Sequence, residues 1–151
     1  MDKDVVLDLY EDVCDYWKEK LRNKYPLYFN KRLIVGKVYK FGNVIFQYYQ
    51  QYLSCYTMDD FEQLEGFITS RYIKNHQNDC TEVTDNYLLQ TFFEHEAKKR
   101  GFKDGSVYVD IYGKNQTLFN FDNLWYYPAI HTFTGSHGET IFSDGKWAEI
   151  I

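Results

Sequence analysis

The side chains best suited by type and spacing to chemistry are His131, His137 and Glu139, in or beside the run Gly135-Ser136-His137-Gly138. Two imidazoles and a carboxylate are ligands that zinc accepts, and a histidine near a carboxylate can serve as a general base. Spacing alone does not bring three side chains to one point, and a histidine in a polar loop is ordinarily solvated. A metal-dependent enzyme using the His131/His137 region is therefore a second alternative, with no metal ligand assigned. Glu94-His95-Glu96 falls in a helical stretch, where successive side chains point about 100° apart, so the three are no single constellation. Cys14, Cys55 and Cys80 are an odd number at irregular spacing, which builds neither a closed disulfide framework nor a four-cysteine zinc site. There is no Gly-rich phosphate loop, no Gly-x-Ser-x-Gly, no His-Glu-x-x-His and no Cys-x-x-Cys. The expectation is a protein that is not an enzyme, with no catalytic residue and no cofactor.

Binding chemistry is better represented. The chain carries 15 Tyr, 12 Phe and 3 Trp in 151 residues, and tyrosine, with an apolar ring and a polar tip, serves a core or a partner surface equally well. Two stretches are too dense in rings for all to face inward: Tyr48-Tyr49 with Tyr52, and Trp125-Tyr126-Tyr127 before Pro128. Neighbouring side chains on a strand point to opposite faces, so one of each pair should face outward unless a further layer covers it. Interfaces are enriched in such residues. The acidic run Asp59, Asp60, Glu62 and Glu65 is expected to flank this patch, its plainer reading being a solvated face. The candidate binding set is Tyr48, Tyr49, Asp59, Asp60, Glu62, Trp125, Tyr126 and Tyr127. Lys31, Arg32, Lys37 and Lys40 interleave with Tyr39 and Phe41 as on a single-stranded nucleic acid platform. A sheet that packs rings inward and leaves lysines wet explains them more simply, and a net charge of −5 argues against phosphate-coating partners.

These residues need elements to hold them. Val5, Val6, Leu9, Val13, Trp17 and Leu21 draw one stripe down an amphipathic helix over 3–24, ended by Pro26. Leu33–Phe41 and Val44–Tyr49 read as strands joined by a Gly42-Asn43 turn. A short acidic turn and a third strand at about 65–73 follow. Thr84 caps a helix over 84–100, with a Val83–Leu88 staple and with Tyr87, Leu88, Thr91, Phe92 and His95 on one side. Gly101 closes it in the αL conformation, and Phe102 folds back toward Ala97. From there the chain is β to the end, closing on a hairpin at Asp144-Gly145, with Trp147 covered and the terminus tucked into a sheet. The fold class is α+β: small antiparallel β modules, SH3-like or a small barrel, two of them if Gly36-Lys-Val-Tyr39 and Gly105-Ser-Val-Tyr108 mark a duplication. Residues 1–101 form the helix, β-hairpin and joining-helix section and 102–151 the C-terminal β module, within one compact unit. A length of this order buries about two thirds of its unfolded surface, so no staples are needed.

Lys99-Arg-Gly-Phe-Lys-Asp-Gly105, followed by a β section closing on Asp144-Gly-Lys-Trp-Ala-Glu-Ile-Ile151, resembles the tail of many small uncharacterised proteins encoded by bacteriophages and prophages. The resemblance covers the C-terminal third and implies a phage-type origin and an accessory role, with no particular chemistry. Met-Asp-Lys-Asp lacks the basic-then-apolar run of a signal peptide, and no 18 apolar residues are consecutive, so a soluble protein in the cytoplasm of a bacterial host, without a membrane partner, is expected. The expected function is a phage-encoded accessory protein that binds a host protein, with inhibition of a bacterial defence system such as a CRISPR nuclease as one form. The first alternative is a small-ligand or nucleotide-binding protein.

Overall fold

The computed structural model describes residues 2–26, 33–49, 53–64, 73 and 76–151. The fold is α+β with antiparallel sheets. Contacts divide the chain into two units, residues 1–32 and 33–151, so the boundary expected at 101/102 lies inside the second unit.

In the first unit the expected single helix over 3–24 is two: α1 (Lys3–Asp12) and α2 (Asp15–Lys24). Val13 and Cys14 between them are extended, with ψ of 161° and 168°. Asp12-Val13-Cys14-Asp15 is a run of four weak helix formers, and Asp15 gains by standing at the positive end of a new helix. The break also disrupts the stripe: Val6 and Tyr10 are buried, whereas Val5, Leu9 and Trp17 are exposed. Arg22 Nη1 donates to the Tyr10 hydroxyl at 2.8 Å, tying α2 to α1.

The second unit begins with a five-stranded sheet in the order β4-β3-β2-β1-β5. Its strands are β1 (Val38–Phe41), β2 (Val44–Gln47), β3 (Ser54–Thr57), β4 (Gln63–Leu64) and β5 (Thr81–Glu82). The Gly42-Asn43 turn joins β1 to β2 as expected. Of the third strand expected at 65–73 only Ile73 is described, and it lies in no strand. Alternation gives this sheet two covered faces. Val38, Ile45 and Tyr56 join the main core, while Tyr39, Phe46 and Cys55 join a smaller cluster with Leu33, Leu53, Ile73 and Cys80. Cys55 and Cys80 are buried, and Cys14 is exposed.

The helix α3 (Asn86–Lys99) is capped one residue later than expected, by Asp85 rather than Thr84: the Asp85 carboxylate accepts from Leu88 N at 2.9 Å. Its end follows the sequence. Gly101 takes φ +94°, its N–H reaches Lys98 O, and Phe102 N reaches Ala97 O, both at 3.0 Å, the paired bonds of a Schellman closure. The buried face is rotated from the expected one, being Leu89, Phe92, Phe93, Glu96 and Ala97, with Tyr87 exposed. Phe93 is the hub, within 5.7 Å of the rings of Phe92, Tyr126, Phe133, Phe142 and Trp147.

The remaining strands form two sheets. One runs β11-β10-β9-β8, from β8 (Trp125–Tyr127), β9 (Thr132–Thr134), β10 (Thr140–Ser143) and β11 (Lys146–Trp147). The other runs β12-β6-β7, from β6 (Val107–Val109), β7 (Asn115–Thr117) and β12 (Glu149–Ile150). The strands before α3 thus form one sheet, and those after it form two, of four and three strands. Asp144 and Gly145 have φ of 46° and 85°, the turn that suits a twisted hairpin. Ile151 N donates to Val107 O at 3.0 Å, holding the last residue against β6.

Two polar ties join the first sheet to α3 and to the C-terminal hairpin. Glu96, 1% exposed, accepts from Ser54 Oγ at 2.9 Å, the Tyr56 hydroxyl at 2.8 Å and Arg100 Nε at 2.9 Å. The Arg100 guanidinium lies 4.7 Å from the centre of the Trp147 ring. Buried Gln47 accepts from Trp147 Nε1 and donates to Gly36 O, both at 2.8 Å. Trp147 is half-buried, its indole edge satisfied by this bond and its face by the guanidinium and the Phe93 and Phe142 rings.

Candidate functional site

Strand β8 sorts its three aromatics by the period of a strand. Tyr126 turns inward and stacks on Phe93, centroids 4.1 Å apart and planes 12° off parallel. Trp125 and Tyr127 turn outward, 58% and 48% exposed. As β8 is an edge strand, its open side needs cover. One glutamine supplies it: Gln90 Oε1 accepts from Tyr126 N at 2.7 Å, while Gln90 Nε2 donates to Leu124 O at 3.0 Å and to Glu94 Oε1 at 2.8 Å. The exposed rings thus stand on a backbone clamped from inside and from its edge.

Register places the outward residues of neighbouring strands beside them: Trp125 faces Thr134, and Tyr127 faces Thr132. Thr134 pairs in turn with Thr140, and Thr132 with Ser143. Their hydroxyls bond across the strands, Thr134 to Thr140 at 2.9 Å and Thr132 to Ser143 at 3.1 Å. The result is a face of short hydroxyl side chains bordered by two aromatic rings.

The other predicted binding residues lie elsewhere. Tyr48 and Tyr49 follow β2 and are half-buried. Tyr48 packs on the smaller core cluster, and the Tyr49 hydroxyl donates to Gly145 O at 3.2 Å. Burial pushes the Tyr49 pKa up to about 12, Arg100 opposing and Glu96 adding to the shift. Asp59, Asp60 and Glu62 are exposed around the β3–β4 turn, while Tyr52 and Glu65 lie outside the described residues. That turn is held by Thr57, whose N–H donates to Glu62 O at 3.0 Å, and by Phe61, which takes φ +51° and stacks on His95 at 4.9 Å. His95 is held below its ordinary pKa by burial first and then by Lys98, against Glu94. Since Gln90 and His95 are five residues apart, they stand about 140° apart around α3, so the acidic turn and β8 occupy different flanks of the helix.

Beside Tyr126 a cleft of about 310 Å³ opens between the β1–β5 edge of the first sheet and the C-terminal hairpin. Val38, Val83, Leu89 and Phe142 make its floor. At its mouth Lys37 Nζ and Glu82 Oε1 pair at 3.0 Å, and Asp144 and His131 stand opposite. His131 and Asp144 are two of the three described non-glycine residues with positive φ, and Asp144 N donates to His131 O at 3.0 Å. Burial pushes the Tyr126 pKa up to about 12, with the carboxylates of Glu82 and Asp144 adding to the shift. Both charges therefore act on the phenol that lines the cleft.

His131, His137 and Glu139 do not converge. Glu139 is folded under Gly135 and buried, with Oε1 lacking a partner, whereas His137 is exposed with its ring edge-on to Phe119. Among the described residues no group of three or more His, Cys, Asp or Glu is placed to hold a metal ion. No described helix is long and apolar enough to cross a membrane.

The cleft, the Gln90 clamp and the Glu96 node were not read from the sequence. For Glu96 a signal existed: Leu89, Phe92, Phe93 and Ala97 mark one helical face, and 96 falls on it. No protein-family model, curated protein or solved structure matches this chain.

Proposed function

We propose that this chain is an accessory protein of bacteriophage type that acts by binding a protein of the bacterial host, with a component of a defence system such as a CRISPR nuclease as the class of target. The observation that carries the binding reading is the outward pair Trp125 and Tyr127 on a strand held by Gln90, bordering a face of hydroxyl side chains, Thr132, Thr134, Thr140 and Ser143. Exposed aromatics on an immobile backbone bind at low entropic cost, because little is left to order. The phage-type origin rests on the resemblance of the C-terminal tail. The cleft, with the Lys37–Glu82 pair neutral and Asp144 left over, favours a cation over a phosphate, so it lends no support to a nucleotide ligand.

The test is photo-cross-linking in bacterial cells with benzoylphenylalanine in place of Tyr127, and separately in place of Tyr87 and Tyr112, which are 79% and 80% exposed. The reading expects one discrete adduct at position 127 that is missing at 87 and 112. Equal labelling at all three, or none at 127, contradicts it.

A further inference from the structure

We infer that the cleft beside Tyr126 is an anchor pocket for an arginine side chain of the bound protein, gripped by the Asp144 carboxylate above the apolar floor. The inference rests on the reading that the chain docks on another protein, and it names the chemistry that protein presents.

Four observations lead there. The floor, Val38, Val83, Leu89 and Phe142, suits the methylene stem of a long cationic side chain, whose charged end stays at the mouth. The ionic groups at the mouth do not cancel. Lys37 is committed to Glu82 at 3.0 Å, whereas Asp144 has no cation within ion-pair distance among the described residues. The Asp144 carboxylate is also pre-positioned: its N–H is fixed to His131 O, and the Tyr49 hydroxyl and the close approach of Gly36 hold the neighbouring Gly145. A carboxylate on a fixed backbone spends little ordering entropy on binding. Finally, Pro128 and His131, one and four residues after Tyr127 in the chain, line the pocket.

Arginine fits better than lysine. A guanidinium offers a planar fork of N–H donors to one carboxylate, is more weakly hydrated than an ammonium, and has donors to spare for the Tyr126 hydroxyl oxygen.

The experiment uses the full chain, ¹⁵N-labelled, with Nα-acetyl-arginine amide and its uncharged counterpart Nα-acetyl-citrulline amide as probes. The arginine probe should shift the amides of Gly36, His131 and Gly145 saturably, with a Kd on the order of a few millimolar for so small a ligand. The citrulline probe should bind at least tenfold more weakly. Asp144→Asn should reduce arginine to the citrulline level while the remaining spectrum stays unchanged, because Asn-Gly favours the same turn as Asp-Gly. Equal binding of the two probes, no shift at the cleft amides, or an unaffected Asp144→Asn variant overturns the pocket. In cells, an undiminished Tyr127 adduct in the Asp144→Asn background overturns the anchor and leaves docking standing. No Tyr127 adduct in either background overturns the docking reading and the anchor with it.

Discussion

Removing the Glu96 carboxylate should be among the most damaging changes available to this fold. Glu96→Ala strips the acceptor from the hydroxyls of Ser54 and Tyr56, which are 0% and 3% exposed. Each buried donor left without a partner costs about 1–3 kcal/mol. Arg100 loses its counter-charge but is partly exposed and can rehydrate, so the ionic share is the smaller one. The two donors together with the cavity left by the side chain bring the loss to about 3–5 kcal/mol. For a chain of this length that lowers Tm by roughly 6–20 °C. Glu96→Gln should cost less, about 1–2 kcal/mol, because its amide retains one oxygen and its NH₂ can donate to the Tyr56 hydroxyl. Urea denaturation followed by circular dichroism measures both. A double-mutant cycle sharpens the result: Tyr56→Phe should cost about 1 kcal/mol in wild type and close to nothing beside Glu96→Ala. The reasoning is refuted if Glu96→Ala unfolds within about 0.5 kcal/mol of wild type, the range of an ordinary surface substitution.

Gly36→Ala should destabilise by more than about 1 kcal/mol, because φ is +88° and a Cβ there would run into Gly145 Cα; an unchanged denaturation midpoint contradicts the close approach. Tyr49, Tyr108 and Tyr126, each with a pKa raised to about 12 chiefly by burial, should stay protonated at pH 11, a unit above the ordinary value for a phenol of about 10. The unfolded chain releases those protons near pH 10 and the folded chain only near 12, so folding stability is complete below pH 10 and falls as pH rises through 12. Ultraviolet titration checks both statements, and a single ionisation midpoint near 10 for every tyrosine would count against them.

The sequence carried those parts of the fold that depend on local chemistry. The Gly42-Asn43 and Asp144-Gly145 turns, the closure at Gly101 and the all-β run after α3 each follow from residues whose backbone preferences are strong. The break at Val13-Cys14 was hidden because the spacing of apolar residues runs across it; only the weak propensities of Asp12 to Asp15 marked it. The cap at Asp85 instead of Thr84 is a one-residue choice between two good caps. At the site, strand alternation sufficed to turn one of Tyr126 and Tyr127 outward. The position of Tyr49 depends on a contact with Gly145, almost a hundred residues on, and the cleft gathers Lys37, Val83, Tyr126, His131 and Asp144 from stretches that the sequence offered for separate reasons. Such long-range placements leave no periodic trace.

The most direct test of the docking account is the dissociation rate of the cross-linked host protein, once purified, from wild type and from the Trp125→Ser, Tyr127→Ser double variant. Both rings point away from the core, so the variant should keep the wild-type urea midpoint. The account predicts dissociation at least a hundredfold faster with little change in the association rate, as expected where aromatic anchors are lost. A variant that retains the wild-type fold and releases the partner within threefold of the wild-type rate would contradict it.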